Sequence, residues 1–211
     1  MNIAQEILDT HHDFAGAKAL VEVEGLSSPR VCNFLNRLVA SLGPDEAYLE
    51  IGTWKGLTLC SAALGNAGKQ CYACDKFRFW GEFTGPGFLA KRALYRNVAR
   101  YKPGSAEVHF FHTTSKELFA RKLVPPKVRV YFYDGDHSYE GTYHGVVAAA
   151  PLLTRASILL MDDWNDPVIR KATYDGLRDA GLTIDWERSL EGDHSTDGWW
   201  NGLGVFHLLR S

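Results

Sequence analysis

Residues 47–56 read AYLEIGTWKG, and this stretch decides the fold. Ala47 to Ile51 is a short apolar run carrying one acid, Glu50, near its end. The chain then turns through Gly52-Thr53-Trp54-Lys55-Gly56 and enters a helical stretch, Leu57–Leu64. A strand that ends in a glycine turn and opens a helix is the first unit of a ligand-binding α/β sheet. Gly52 permits the tight turn and a close approach of backbone to a ligand, while Gly56 lets the helix pack closely on the sheet. The spacing is GxxxG, not GxGxxG, which disfavours a bound diphosphate and counts against NAD and FAD. An acid at the head of the turn suits a cofactor with a cationic amino acid end.

Outward from this unit, β-rich runs alternate with helical ones. The strands predicted are AYLEI from Ala47, CYAC from Cys71, EVHFF from Glu107, VRVYFY from Val128 and SILLM from Ser157, then LTIDWE from Leu182 and GVFHLL from Gly204. The helices between them are Leu57–Leu64, Phe88–Arg100, Ser115–Lys122, Tyr139–Leu153 and Asp166–Ala180. Such alternation predicts a mainly parallel sheet covered on both faces. SILLM reads as a strand buried on both sides. The last two strands lack a helix between them and are predicted to pair antiparallel. Ser27-Ser28-Pro29 starts an earlier helix running to about Leu42, with a capping Ser and Pro in the first turn. The expectation is one α/β domain over residues 1–211: a helical extension, 1–45, and a Rossmann-like core, 46–211, with seven strands. Ligands of such a sheet sit outside the carboxyl ends of its strands.

About twenty residues past Gly56, Asp75 ends the second strand, where a carboxylate can accept the hydroxyls of an adenosine ribose. YLEIGTWKG, CYACD, YFYDGDHSYEG and ILLMDDW together resemble the class I S-adenosylmethionine (SAM)-dependent methyltransferases, over about Tyr48 to Trp164. The resemblance implies that Glu50, Gly52, Thr53, Trp54 and Gly56 hold the methionine part of SAM. It gives Asp75 the ribose, with Lys76 beside it near the adenine, and Thr114 or Ser115 a polar contact to the adenine. The alternative for Thr114 is helix capping, since Glu117 follows three residues later.

The fourth strand ends in Asp134-Gly135-Asp136-His137 and the fifth in Asp162-Asp163. Both ends should converge beside the glycine turn. An uncompensated carboxylate cluster there is costly, and a divalent cation relieves it. All-oxygen ligation by Asp134, Asp162 and Asp163 favours Mg2+, with Mn2+ or Ca2+ as alternatives. The pattern is similar to the small bacterial metal-dependent O-methyltransferases, which implies methyl transfer to the hydroxyl of a sugar, an aromatic or another natural product. Other readings stand beside this one: Asp134 accepts from the SAM amino group, and Asp162 or Asp163 caps the next helix. In metal-dependent relatives a basic side chain, commonly Lys, lies three residues after the first aspartate. His137 inherits that place as general base. Its alternative is a helix start.

Aromatic segments supply walls for an acceptor: FRFWGEFTGPGF from Phe77, and His194, Asp197, Trp199, Trp200 and Asn201 before the last strand. His11, His12, His109, His112 and His207 read as surface or structural. Cys71 and Cys74 are three apart on a strand and point to opposite faces, so they read as core residues, not a metal or disulfide pair.

With 45% hydrophobic and 23% charged residues the composition is ordinarily globular. The net charge of -2 offers no field for nucleic acid or anionic membranes. Apolar stretches fall short of the ~20 residues that span a bilayer, and MNIAQEILDTHHDF lacks an apolar signal core, so a cytoplasmic location is expected. A small-molecule acceptor is the expected partner. The acceptor's identity and the oligomeric state, a homo-oligomer included, are not legible. Rival functions are an NAD-dependent oxidoreductase, a metal-dependent oxygenase on the same scaffold, and a SAM-binding module without catalysis.

Overall fold

The computed structural model describes residues 2–10, 22–77, 86–195 and 198–210. Among these residues seven strands form one sheet: β1 (Ala47–Ile51), β2 (Gln70–Asp75), β3 (Glu107–His112), β4 (Val128–Tyr133), β5 (Leu153–Met161), β6 (Leu182–Leu190) and β7 (Leu203–Arg210). Their order is β3-β2-β1-β4-β5-β7-β6. The first five are parallel, and β7 lies antiparallel between β5 and β6. This is the Rossmann-like, mainly parallel sheet expected, closed by antiparallel strands at the C-terminal edge. Strand order reverses between β1 and β4, so their carboxyl ends open a crevice.

Among the described residues, seven helices surround the sheet: α1 (Ile3–Thr10), α2 (Pro29–Ala40), α3 (Leu57–Ala63), α4 (Pro86–Tyr101), α5 (Ser115–Ala120), α6 (Tyr139–Ala149) and α7 (Pro167–Asp179). Two apolar layers result. One joins α1 to α4 to one sheet face through Phe34, Leu35, Leu38, Leu59 and Leu94, with Tyr48, Val130 and Phe132 from the strands. The other joins α5 to α7 to the opposite face through Leu118, Val146, Ile169 and Leu177, with Leu49, Tyr131 and Leu159. Alternate residues of β1 and β4 divide between the two layers, as strands buried on both faces must. Cys71 and Cys74 fall in different layers, and all four cysteines are free.

The helix starts follow the capping chemistry. Ser28 accepts from Val31 N–H at 3.2 Å ahead of Pro29, and Asp166 accepts from Val168 N–H at 2.7 Å ahead of Pro167. Helix α6 is shorter than predicted: Pro151 sits in a 3-10 turn over Ala150–Leu152, and β5 begins at Leu153. A register shift between Val128 and Val130 takes up the extra residues of β5. No helix among the described residues is long and apolar enough to cross a membrane.

Candidate active site

The carboxyl ends of β1, β2, β4 and β5 line a cleft of about 1710 Å³. Ligand pockets commonly run about 300–1,000 Å³, so this one has room for a cofactor and a second molecule.

The glycine turn is built around Asp75. Its Oδ2 accepts from Thr53 N–H at 2.9 Å and Trp54 N–H at 2.8 Å, and its Oδ1 accepts from Phe77 N–H at 2.7 Å. A carboxylate offers about four acceptor positions, so one remains for a ligand hydroxyl, on Oδ1. Gly52 has φ +86, and a Cβ there would lie 1.8 Å from the Asp134 carbonyl oxygen. The close approach this glycine permits is therefore to the end of β4. Gly56, at φ +89, opens α3, and a Cβ there would press on Leu94 of α4 at 2.6 Å.

Glu50 is wholly buried one layer below the turn and does not line the cleft. Tyr48 Oη donates to its Oε2 at 2.6 Å and Thr58 Oγ1 to its Oε1 at 2.7 Å. Burial pushes its carboxyl up to about 8. Of the other residues expected to bind cofactor, Gly56 also lies behind the wall. Gly52, Thr53, Trp54, Asp75, Lys76, Thr114, Ser115 and Asp134 all line the cleft. Thr114 caps α5 by accepting from Glu117 N–H at 3.2 Å, so the capping role is real and coexists with its place in the wall.

The ends of β4 and β5 bring the acids together. Asp134 is half-buried and its carboxyl is raised, first by burial. Asp162 is 6% exposed, and its carboxyl is held well above the usual range by burial and then by the charges of Asp134 and Asp163. Asp163 has φ +51; its Oδ1 accepts from Asn201 Nδ2 at 2.6 Å, and its Oδ2 lies 3.1 Å from His137 Nδ1. The other ring nitrogen, Nε2, lies 3.5 Å from Asp134 Oδ1. Asp134 and Asp163 raise the His137 pKa, the Asp134 contact contributing most. Asp134, His137 and Asp163 each present one ligand atom, all within 4.8 Å of one another. The cluster thus includes His137, while Asp162 forms its buried flank. Neither Asp162 nor Asp163 caps α7; Asp166 does.

Of the predicted acceptor walls, His194, Trp200 and Asn201 line the cleft. Trp199 turns inward instead, edge-on to Phe34 at 6.0 Å with Arg30 over its ring at 5.5 Å. Asp197, His11, His12 and residues 78–85 of the aromatic segment lie outside the described residues. Sequence reasoning missed Gly25, Leu26 and Ser27, which form the opposite lip, and His144 on α6. Leu26 is 72% exposed there. A lone exposed leucine ahead of a helix cap was the available signal.

Two features mark the cleft as functional. Among the described residues, Trp54, Phe77, Lys122, Asp163, His194 and Trp200 are the non-glycine residues at positive φ, and four of these six line the cleft. Backbone strain of this kind gathers at ligand sites. Among the described residues, the buried side-chain atoms without a partner are Thr53 Oγ1, Asp162 Oδ1 and Asn201 Oδ1, and all three residues line it too. A polar ligand there would meet groups that otherwise carry an uncompensated desolvation cost.

A methyltransferase-domain family model matches residues 49–164, from β1 through the acids after β5. The chain belongs to that family. The methyltransferase's glycine turn, Asp75 and the acids after β4 and β5 lie within the matched span, while the lip at Leu26 and the wall at Trp200 lie outside it. No curated protein sequence matches it significantly. Among solved structures, an O-methyltransferase from Bacillus cereus in complex with SAH is similar at 14% identity, with a TM-score of 0.64 over 99% of this chain and 97% of that one. PH1948 of Pyrococcus horikoshii, described as a candidate RNA methyltransferase, is similar at 12% identity and TM-score 0.59, over 100% and 97%. M. jannaschii TYW2 in complex with AdoMet is similar at 10% identity and TM-score 0.56, over 83% and 74%. At these identities the methyltransferase shares a fold with all three.

Proposed function

We propose that this methyltransferase transfers the methyl group of SAM to a hydroxyl of a small molecule. The observation that carries the reading is the meeting, in one cleft, of an Asp75-centred turn with the acids and His137 after β4 and β5. Asp75 Oδ1 takes one ribose hydroxyl, Thr53 Oγ1 finds a partner on the cofactor, and Thr114, Ser115 and Lys76 border the adenine. The TYW2 and B. cereus structures, which hold AdoMet and SAH, support the cofactor. SAM, when bound, supplies the electrophilic methyl group. The protein's own contribution is alignment of donor and acceptor in a shielded cleft.

A hydroxyl acceptor must also lose a proton, and Asp134 and His137 are the groups at hand. Leu26, Trp54, Trp200 and Asn201 give the acceptor end apolar area with polar handles, which suits a ring-bearing small molecule. Net charge -2 and an acid-lined cleft fit a nucleic-acid backbone poorly. The residues also fit a divalent cation, because Asp162 Oδ1 is buried without a partner beside two further carboxylates. Asp134, Asp162 and Asp163 would hold it, and such an ion would lower the pKa of the acceptor hydroxyl. The test is calorimetric titration of the protein with S-adenosylhomocysteine, followed by transfer of labelled methyl from SAM to a panel of hydroxylated compounds. Failure to bind S-adenosylhomocysteine refutes the reading.

A further inference from the structure

Asn201, on the wall before β7, uses its amide on one side only. Nδ2 donates to Asp163 Oδ1 at 2.6 Å, while Oδ1 is buried and has no partner. A carboxylate accepts and does not donate, so the amide cannot turn over without setting two acceptors against each other. Oδ1 is thereby committed as an acceptor on a residue that lines the cleft. A buried acceptor left unpaired is costly, and a donor on a bound molecule relieves that cost.

The wall is held against relaxing. Asn165, exposed just beyond the end of β5, grips the turn at both ends. Its Nδ2 donates to Gly192 O at 2.7 Å, its Oδ1 accepts from Gly192 N–H at 3.2 Å, and its backbone N–H donates to Asn201 O at 3.0 Å. From the opposite lip, the buried Ser28 Oγ donates to Gly198 O at 2.7 Å, and Trp199 packs edge-on to Phe34. So fixed, the turn keeps His194 at φ +59 and Trp200 at φ +56. Such backbone persists only where the surroundings over-determine it. A rigid wall that keeps one acceptor unpaired is built to read a donor.

We propose that Asn201 determines specificity for the acceptor. Its side-chain oxygen takes a hydrogen bond from a second O–H or N–H that the acceptor carries beside the hydroxyl being methylated. Asn165 is the positioning residue that holds it there. The inference rests on the cleft being the methyltransferase site proposed above. Asp163 gives one oxygen to Asn201, and its other lies 3.1 Å from His137 Nδ1. The residue that reads the second donor and the group placed to receive the proton thus share one carboxylate, and the two acceptor groups lie close together on one small molecule. Asn165 and Asn201 both fall outside residues 49–164, so the family match does not supply this contact.

The test uses the full chain with saturating labelled SAM and two matched sets of probes: catechol with ortho-fluorophenol, and methyl glucoside with its monodeoxyfluoro analogues. Fluorine nearly fills the place of a hydroxyl but donates nothing. In at least one set the hydroxyl probe should be methylated with a kcat/KM at least about tenfold above its fluoro partner. Asn201→Leu should bring that ratio below about threefold, because an apolar wall leaves no acceptor unpaired. A purely structural role would slow both partners alike and leave the ratio standing, as would chelation of both hydroxyls by a cation. Asn165→Ala should raise the KM of the hydroxyl probe by about 3–10-fold with kcat within about twofold, and an unchanged KM removes it as the positioning residue. Parity within both sets, or a wild-type ratio that survives in Asn201→Leu, overturns the proposal. If Asn201→Leu does not fold, Asn201→Gln takes its place: the added methylene carries the amide oxygen off its position and should lower the ratio likewise. Titration with S-adenosylhomocysteine keeps the failures apart: absent binding sinks the cofactor reading and this one with it, whereas parity in a protein that binds it sinks this one alone.

Discussion

Glu50→Gln should abolish the share of the stability loss at rising pH that the burial of Glu50 causes. Glu50 is wholly buried at the end of β1, with hydroxyl donors at 2.6 and 2.7 Å, and burial carries its carboxyl from the usual 4.5 to about 8. Between those values the folded chain keeps a proton that the unfolded chain has released. Stability is therefore fully present below about pH 4.5 and declines as pH climbs through about 8. The whole interval corresponds to about 4–5 kcal/mol at 1.36 kcal/mol per pH unit. Glutamine has the same shape, is neutral throughout, and can accept from one hydroxyl while donating to the other. Variant and wild type should melt within about 2 °C of each other at pH 5. At pH 9 the variant should melt higher by about 10 °C, since 1 kcal/mol moves a chain of this size by about 2–4 °C. Calorimetric melts of both proteins, free of cofactor and metal, give the comparison, and other titrating groups cancel in the difference. A gap between variant and wild type that stays constant from pH 5 to pH 9 would refute the argument.

Asp75→Asn should weaken S-adenosylhomocysteine by about 1–3 kcal/mol in calorimetric titration, the scale of a charge-assisted hydrogen bond; unchanged affinity removes the ribose assignment. Asp75→Ala should cost stability as well, because three backbone N–H groups lose their acceptor. Gly52→Ala should yield little folded protein, since its Cβ would meet the Asp134 carbonyl at 1.8 Å. Gly65→Ala, also at positive φ but facing open space, should cost only about 1–2 kcal/mol in a denaturant melt. Trp200→Ala should raise the KM for an acceptor while leaving S-adenosylhomocysteine affinity within about twofold, and a loss of cofactor affinity would place Trp200 on the wrong side of the cleft.

The sequence made β1, its glycine turn and the alternating order legible because parallel strands buried on both faces need continuous apolar runs, and turns at strand ends need glycine. The acids after β4 and β5 were legible for a related reason: a carboxylate at the end of a buried strand has few structural uses, and three of them together have fewer. What stayed hidden depends on distance in space rather than along the chain. That Gly52 makes room for Asp134, 82 residues away by the numbering, follows from β1 and β4 being neighbours in the sheet. Glu50 read as facing a cofactor because the acid heads the turn, yet strand alternation places it on the same side as Tyr48, in the layer beneath α2 and α3. His137 stands three residues after the strand-four acid, where the resemblance places a basic side chain. Its second partner, Asp163, arrives from β5, and Asn201, which steadies that partner, arrives from the turn before β7. A site assembled from several strand ends has chemistry that no single stretch of sequence contains, and here an imidazole from the end of β4 lies between a carboxylate of its own strand end and one from β5.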